Sequence, residues 1–200
     1  MGKSKIIGLC GISGSGKSTV CEMLKNYGFA IIDADKVARE VTKPHEKCLE
    51  LLANEFGNDI ISDDGSLDRR QLGSICFSSK EKTAKLNEIT LPCIVERINQ
   101  KITNLKNEGY EYIVLDAPTL FEAGADKLCD IILAVTADRE LLKKRIMSRD
   151  NISEQDAENR LNRAHSVEFL KEHCDYIINN DKTLDELENA VKSAVDFIKQ

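Results

Sequence analysis

A complete phosphate-binding motif, G-x-x-x-x-G-K-S, lies near the start of this 200-residue chain. It consists of Gly11, Ile12, Ser13, Gly14, Ser15, Gly16, Lys17 and Ser18, followed by Thr19. Residues 5–10 before it form a short apolar run typical of a buried strand, and residues 17–26 carry apolar side chains at helical spacing. A strand, a glycine-rich loop and a helix in this order distinguish a functional motif from a chance match.

The residue types of this P-loop indicate its ligand. Glycines let consecutive backbone N–H groups turn toward phosphate oxygens, and the following helix adds the partial positive charge of its N-terminus. Lys17 would reach the β- and γ-phosphates, and the Ser18 hydroxyl would bind Mg²⁺. We therefore expect residues 11–19 to bind a nucleoside triphosphate, with Ser18 as the metal ligand.

Length, charge and hydropathy narrow the class of protein. Two hundred residues suit one α/β domain with insertions, and the net charge of −6 argues against nucleic acid as a partner. No apolar run approaches the roughly 20 residues that cross a membrane. Residues 1–5 lead straight into the first strand, so we expect no export signal. We expect a cytoplasmic protein without a membrane partner, monomeric or weakly homo-oligomeric.

Cysteine and histidine usage argues against a structural metal. The seven cysteines form no C-x-x-C pair, and the three histidines show no metal-ligand spacing. We expect reduced thiols, most of them small residues of the core.

Five short apolar segments predict the strands of a buried parallel sheet, because none shows the polar alternation of a half-exposed sheet. They cover residues 5–10, 29–32, 110–115, 130–135 and 176–178. Helical patterns separate most of them. The clearest pattern is the last, a single apolar stripe of Leu184, Leu187, Val191, Ala194, Val195 and Ile198. This alternation predicts a doubly wound α/β fold with its ligand at the carboxyl ends of the strands.

The connection between the second and third strands, residues 33–109, is too long for one crossover helix. Its pattern is mostly helical, with a turn at residues 63–66 and a long helix over about 79–107 that Pro92 kinks or interrupts. Such an insert is well placed to hold a second substrate against the P-loop. Spacing alone leaves an insertion without function open.

A second irregular region follows the fourth strand. It contains five arginines: Arg139, Arg145, Arg149, Arg160 and Arg163. Within it, Ser153 is a plausible N-cap for a helix, with Asp156 three residues on. Clustered arginines suit a lid that closes over phosphates, and the alternative is a charged, solvated helix face.

We accordingly expect an α/β fold with a five-stranded parallel sheet and a P-loop core, a helical substrate-binding insert and a lid. The expected boundaries are residues 1–35, 108–140 and 166–200 for the core, 36–107 for the insert and 141–165 for the lid.

Carboxylate groups follow two of the predicted strands. Asp33 and Asp35 are two positions apart, so an extended backbone would point both to the same side. We expect one to accept the proton of an acceptor hydroxyl or bind Mg²⁺ through water, and the other to cap a helix or orient its partner. Asp116 follows an apolar run, as the aspartate of a Walker B motif does, and this would place it near the metal. No Asn-Lys-x-Asp motif is present, which argues against a GTPase.

The chain resembles the dephospho-CoA kinase family over nearly its whole length. The segments that carry the resemblance are residues 11–19, 32–35, 38–39, 56–57, 64–69, 86–89, 118–122, 145–150 and 175–180. The Asp-Ala-Asp triplet, the Asp-Gly-Ser-Leu run and the Pro-x-Leu-Phe-Glu segment, in this order, are far more specific than the P-loop alone.

The resemblance implies phosphorylation of the ribose 3′-hydroxyl of dephospho-CoA by ATP, with Mg²⁺, to give CoA and ADP. It implies that Asp35 is the base toward that hydroxyl and that Asp33 is its supporting carboxylate. Arg145 would contact the transferred phosphate, and Arg149 would help from the lid.

The same resemblance assigns the remaining candidate residues. The insert would bind the acceptor, with Arg69 on the acceptor's phosphates. Asp116 and Pro118 would also lie on the acceptor side. Asn180, at the end of the last strand segment, would lie near the adenine of ATP.

Three positions depart from the family pattern. Cys10 stands where the family usually has Thr, Leu91 stands where a His is expected, and Ala164 replaces a common Gln. None of these changes Lys17, Asp35 or the lid arginines. We therefore expect catalysis to be intact, with acceptor binding the property most open to change.

Two other functions remain open at this point. One is a related P-loop kinase for a nucleoside, a nucleotide or a small sugar acid, and the other is a module that binds ATP without transferring it. The long insert favours a bulky acceptor over a compact one. An acceptor base at Asp35 together with Arg145 and Arg149 favours transfer over sensing.

Overall fold

The computed structural model describes residues 4–200. Its strands are β1 (Lys5–Gly11), β2 (Ala30–Asp33), β3 (Tyr112–Asp116), β4 (Ile131–Thr136) and β5 (Tyr176–Asn179). Its helices are α1 (Lys17–Asn26), α2 (Ala34–Glu40), α3 (Lys47–Phe56), α4 (Arg69–Cys76), α5 (Lys80–Asn107), α6 (Arg139–Asp150), α7 (Glu154–Arg163), α8 (Val167–His173) and α9 (Leu184–Ile198). Short 3-10 turns cover Asn58–Ile60 and Ala125–Leu128. The sequence predicted no export signal from residues 1–5, and three of these residues, 1–3, lie outside the described residues.

The five strands form one parallel sheet in the order β2-β3-β1-β4-β5, which confirms the predicted fold class. Strand β1 is central, with Leu9 beside Asp116 of β3 on one side and Cys10 beside Ala134 of β4 on the other. Because the P-loop leaves the carboxyl end of this central strand, its glycines lie where the chain connections on the two sides diverge. No helix among residues 4–200 is long and apolar enough to cross a lipid bilayer.

The described chain divides into two compact units. Of the described residues, the core unit comprises those before Ile32 together with Leu105–Gln200, and the insert unit comprises Ile32–Asn104. The functional boundaries expected from the sequence, including the lid over residues 141–165, stay predictions.

Helices α1 and α9 pack on one face of the sheet in the core unit. The buried cluster includes Leu9, Leu24 and Val191, each fully buried. The predicted stripe on α9 is wrong at Leu184, which is 57% exposed. Leu184 is the first residue of the helix, directly after the N-cap Thr183, so it lies at the exposed helix end.

Helix α5 runs unbroken from Lys80 to Asn107, so the predicted interruption at Pro92 is wrong, and the alternative of a kink there stays a prediction. A proline removes one backbone hydrogen bond and crowds the preceding turn, at a cost of about 3 kcal/mol or more. The later part of the helix buries Ile98 and Ile102, and burial of apolar side chains offsets such a cost.

Candidate active site

The P-loop requires glycine at two positions. Gly14 and Gly16 have φ angles of 81° and 89°, in the left-handed region that other residues rarely adopt. A Cβ atom on Gly16 would lie 2.4 Å from Nδ2 of Asn180. That amide is buried and donates a hydrogen bond of 2.8 Å to the carbonyl of Ser15. The loop is therefore held by a hydrogen bond from the residue after β5, in addition to its covalent connections to β1 and α1.

Backbone hydrogen bonds stabilise the loop, but several of its N–H groups remain without an acceptor among the described residues. Ile12 N–H donates to the Val135 carbonyl (3.2 Å), and Ser15 N–H donates to the Ile12 carbonyl (3.0 Å). Within residues 4–200, the N–H groups of five residues in and after the loop have no protein acceptor: Ser13, Gly14, Gly16, Lys17 and Ser18. Free N–H groups at a helix N-terminus are suited to phosphate oxygens. The loop therefore fits a polyphosphate.

Lys17 lies against the carboxyl end of β3, where its ammonium donates to Oδ1 of Asp116. The two side chains are only 17% and 16% exposed, so this ion pair is largely shielded from water. Asp116 is the last residue of β3, and Pro118 follows two positions later as an exposed residue. The structure thus brings together the loop lysine and the acid that the sequence singled out.

Two of the five clustered arginines reach the P-loop from α6. Arg145 Nη1 donates to the carbonyls of Gly14 (3.4 Å) and Asn180 (3.0 Å). Arg149 Nη2 lies 3.3 Å from the Ser13 hydroxyl and also binds Asp150. Both guanidinium groups consequently lie at the phosphate-binding loop.

The other contacts of this region fit the alternative of charged helix faces. Arg139 pairs with Glu158 at 2.6 Å, and Arg160 pairs with Asp150. Hydrogen bonds from Arg149 and then Arg160 lower the pKa of Asp150 to about 2. Asp150 was not singled out in the sequence. Its role depends on the meeting of α6 and α7, which no local pattern reveals.

The helix after this turn begins as the sequence indicated. Ser153 is the N-cap of α7, and its hydroxyl accepts a hydrogen bond of 3.1 Å from the backbone N–H of Asp156. Ala164, one of the departures from the family pattern, is the C-cap residue of the same helix.

A cavity of about 340 Å³ adjoins Asn180 in the core unit. It is lined by the chain that follows β5 and by the first turns of α9, including Lys182 and Glu186. Asn180 belongs to the segment, residues 175–180, for which the family resemblance implies a position near the adenine of ATP.

In the insert unit, the acidic pair adopts a different geometry from the predicted one. Strand β2 ends at Asp33 and helix α2 begins at once, so the two carboxylates do not share one side of an extended strand. Asp33 is the N-cap residue and accepts 2.9 Å from the N–H of Lys36, a role that favours an immediate helix start. Asp35 lies in the first turn and is exposed. No other side chain in the described part of the chain pairs with it.

The insert unit also contains a cavity of about 250 Å³ that is mostly apolar. Arg69 lies in its wall and donates 2.7 Å to the hydroxyl of Thr42, which is itself buried. Asn87 and Thr90 add neutral polar groups, and Phe77 lies at the cavity with 77% of its surface exposed. The sequence indicated Arg69, but Thr42 and Phe77 join it in the wall of the cavity only once the segments of the insert unit have packed together.

The chain is similar to known proteins along most of its length. The model of the family described as dephospho-CoA kinase matches residues 5–186. A dephospho-CoA kinase of Carboxydothermus hydrogenoformans is 39% identical over 180 residues, which are 90% of this chain and 87% of that protein. One of Corynebacterium diphtheriae is 39% identical over 94% of both chains. The solved structure of dephospho-CoA kinase from Campylobacter jejuni is 28% identical, covers 96% of both chains and has a TM-score of 0.73.

Proposed function

The chain belongs to the dephospho-CoA kinase family, and we propose how its own residues carry out the reaction of that family. The enzyme uses ATP to phosphorylate dephospho-CoA, the final step of CoA biosynthesis. The observation that carries the assignment of residues is the junction at Arg145, which joins the P-loop carbonyl of Gly14 to that of Asn180. The Arg145 side chain is thereby held between the P-loop, where the donor phosphates would bind, and the end of β5.

The donor phosphates would bind the free N–H groups of the P-loop and the Lys17 ammonium. Lys17 is held beside Asp116 over the carboxyl edge of the sheet, so it needs no long movement to meet a phosphate. The base of ATP would occupy the cavity beside Asn180.

Ser18 would hold Mg²⁺. Its side chain is exposed in the first turn of α1, and its hydroxyl has no protein partner among residues 4–200, so it is available as a ligand. Magnesium bound there would neutralise charge on the β- and γ-phosphates.

Arg145 and Arg149 would stabilise the charge on the phosphoryl group during transfer. Both are permanently charged, and guanidinium groups bind phosphate oxygens in pairs. The Arg149 guanidinium donates hydrogen bonds to both Asp150 and the Ser13 hydroxyl. These bonds orient the group toward the P-loop before a phosphate binds.

Asp35 would accept the proton of the ribose 3′-hydroxyl. Its carboxylate is exposed and unpaired by other side chains of the described residues, which leaves it accessible to a substrate hydroxyl. Asp33 would act as a positioning residue, because its cap on α2 determines where the first helical turn, and with it Asp35, begins.

The cavity of the insert unit would bind dephospho-CoA beyond its adenosine. Arg69 would bind the diphosphate, and the apolar wall with Asn87 and Thr90 would suit the pantetheine arm, which alternates methyl and methylene groups with amides. At about 250 Å³ the cavity is below the roughly 300–1,000 Å³ of whole small-molecule pockets, so it suits a part of the acceptor.

A substrate panel tests the assignment. Purified protein with ATP and Mg²⁺ is offered dephospho-CoA beside adenosine, nucleoside monophosphates and shikimate. We expect turnover of dephospho-CoA, and brisk activity on another acceptor with none on dephospho-CoA would overturn the proposal.

The Asp35→Asn variant tests the base. General base catalysis contributes about 10²–10⁴-fold, so turnover should fall by that range while ATP binding stays unchanged. Asp63→Asn is a matched control, since Asp63 is an exposed aspartate in a turn of the same unit. Equal turnover of the two variants would remove Asp35 from the mechanism.

A further inference from the structure

Two cysteines far apart in sequence have adjacent thiols in the core unit. The Sγ atoms of Cys10 and Cys174 lie 3.9 Å apart, across 164 positions of the chain. Cys10 is buried near the end of β1, directly before the first P-loop glycine. Cys174 is half-buried and is the C-cap residue of α8, where its N–H binds the Leu170 carbonyl at 2.9 Å.

The two thiols differ in reactivity. The hydrogen bond from the Cys10 thiol lowers the pKa of Cys174, because it stabilises the thiolate. That same hydrogen bond, together with burial, raises the pKa of Cys10. Cys174 is also the more exposed of the two, so it is the one that a solution oxidant would meet as a thiolate.

We propose that Cys10 and Cys174 form a reversible dithiol–disulfide site that takes a low-molecular-weight disulfide as its oxidant. The Cys174 thiolate attacks one sulfur of the small disulfide, forms a mixed disulfide and releases one small thiolate. Cys10 then loses its proton to that thiolate and attacks the Cys174 sulfur, which releases a second small thiolate. The two protein thiols are oxidised by two electrons, and one small disulfide becomes two small thiols.

Closing this bond would strain the nucleotide site. The sulfur atoms must approach from 3.9 Å to about 2.05 Å. Cys10 lies in the central strand, which pairs with β3 and β4 on its two sides, so the segment of Cys174 must move most. The next residue, Asp175, holds the start of β5 through a bond of 2.7 Å to the N–H of Ile132. Strand β5 leads to Asn180, which fastens Ser15 of the P-loop.

The effect on turnover follows from this connection and rests on the proposed function. A displacement of about 1 Å in a catalytic site costs up to about 100-fold in rate, so we expect oxidation to lower turnover at least about tenfold. Reducing agent should restore it.

Peptide mapping and kinase assays test the site together. The protein is incubated with oxidised glutathione, the remaining thiols are alkylated, and the disulfide-linked peptides are identified by mass spectrometry. We expect a Cys10–Cys174 cross-link, lost turnover and recovery with dithiothreitol. The Cys174→Ser variant should keep its activity under the same oxidant.

The control is Cys48→Ser. Cys48 and Cys93 form a second interacting thiol pair, in the insert unit, and removing it should leave the oxidative loss unchanged. Glutathione on Cys174 alone, a cross-link without loss of turnover, or an equal loss in Cys174→Ser would each overturn the proposal. Peptide mapping is independent of catalysis, so an inactive reduced protein would count against the proposed function and not against the disulfide.

Discussion

The P-loop end of the core unit and the cavity of the insert unit are built from different kinds of group. Around the P-loop, backbone N–H groups and carbonyls make most of the contacts, and Asn180 and the Lys17–Asp116 pair are shielded from water. In the insert unit, side chains line the cavity, and the key groups Asp35 and Phe77 are exposed. Phosphates are common to all nucleotides, so a backbone site suits the donor. An acceptor is distinguished by its other parts, which side chains must recognise.

The largest effect should come from adding one methyl group to the P-loop. In Gly16→Ala the new Cβ would overlap the buried amide of Asn180, 2.4 Å away, and break its bond to Ser15. We expect kcat/KM to fall at least about 100-fold with weakened ATP binding, measured by steady-state kinetics and calorimetry.

The matched control for this variant is Gly28→Ala. Gly28 has nearly the same backbone angle, φ 86°, but open space where the Cβ would lie. We expect it to lose about 1–2 kcal/mol of stability and keep its activity. Similar kinetic losses in both variants would mean that backbone strain, and not the contact with Asn180, disables the loop.

A smaller effect should follow from truncating the exposed side chain at the cavity of the insert unit, which we propose as part of the acceptor site. Phe77→Ala removes apolar surface that is 77% exposed, so the fold should be unaffected. Loss of about 1 kcal/mol of contact would raise KM for dephospho-CoA about fivefold. KM for ATP should stay unchanged.

Leu51→Ala is the comparison for Phe77→Ala, because Leu51 is an exposed apolar residue of the same unit that does not line the cavity. If both variants raised KM for dephospho-CoA equally, the cavity would have no specific part in acceptor binding.

The smallest effect concerns the ion pairs of Asp150. Its pKa of about 2 lies below the ordinary 3.8, so folding is favoured above pH 4 and this contribution is lost as the pH falls toward 2. The difference in unfolding midpoint between the wild type and Asp150→Asn should therefore shrink between pH 5 and pH 3, in urea titrations. A constant difference would show that the carboxylate acts through packing alone.

Local sequence patterns predicted those features of the structure that depend on residues close together in the chain. The P-loop, all five strands and the N-cap Ser153 follow from spacing and residue type, and the structure contains them. The interruption at Pro92 and the burial of Leu184 were predicted wrongly, since helix packing and the position of a helix start override the local pattern. For Asp35, the prediction of an extended backbone was wrong because Asp33 caps a helix at once.

Contacts between segments that are distant in the chain could not be predicted from the sequence. Nothing local indicates that Asn180 fastens Ser15, that Thr42 binds Arg69, or that Cys174 meets Cys10. Each of these contacts exists only once separate elements have packed together. The resemblance to a family named candidate residues for the site, but it could not supply their partners.

The hydrogen bond between Asn180 and Ser15 has a consequence for biosynthesis. It joins residues 165 positions apart, so a ribosome must release the chain beyond residue 180 before the P-loop is held in place. A nascent chain that has emerged only as far as β4 displays the whole glycine-rich motif without the amide that holds it. Nucleotide binding should therefore begin late in synthesis, and a product terminated before β5 would retain the motif without forming a working site.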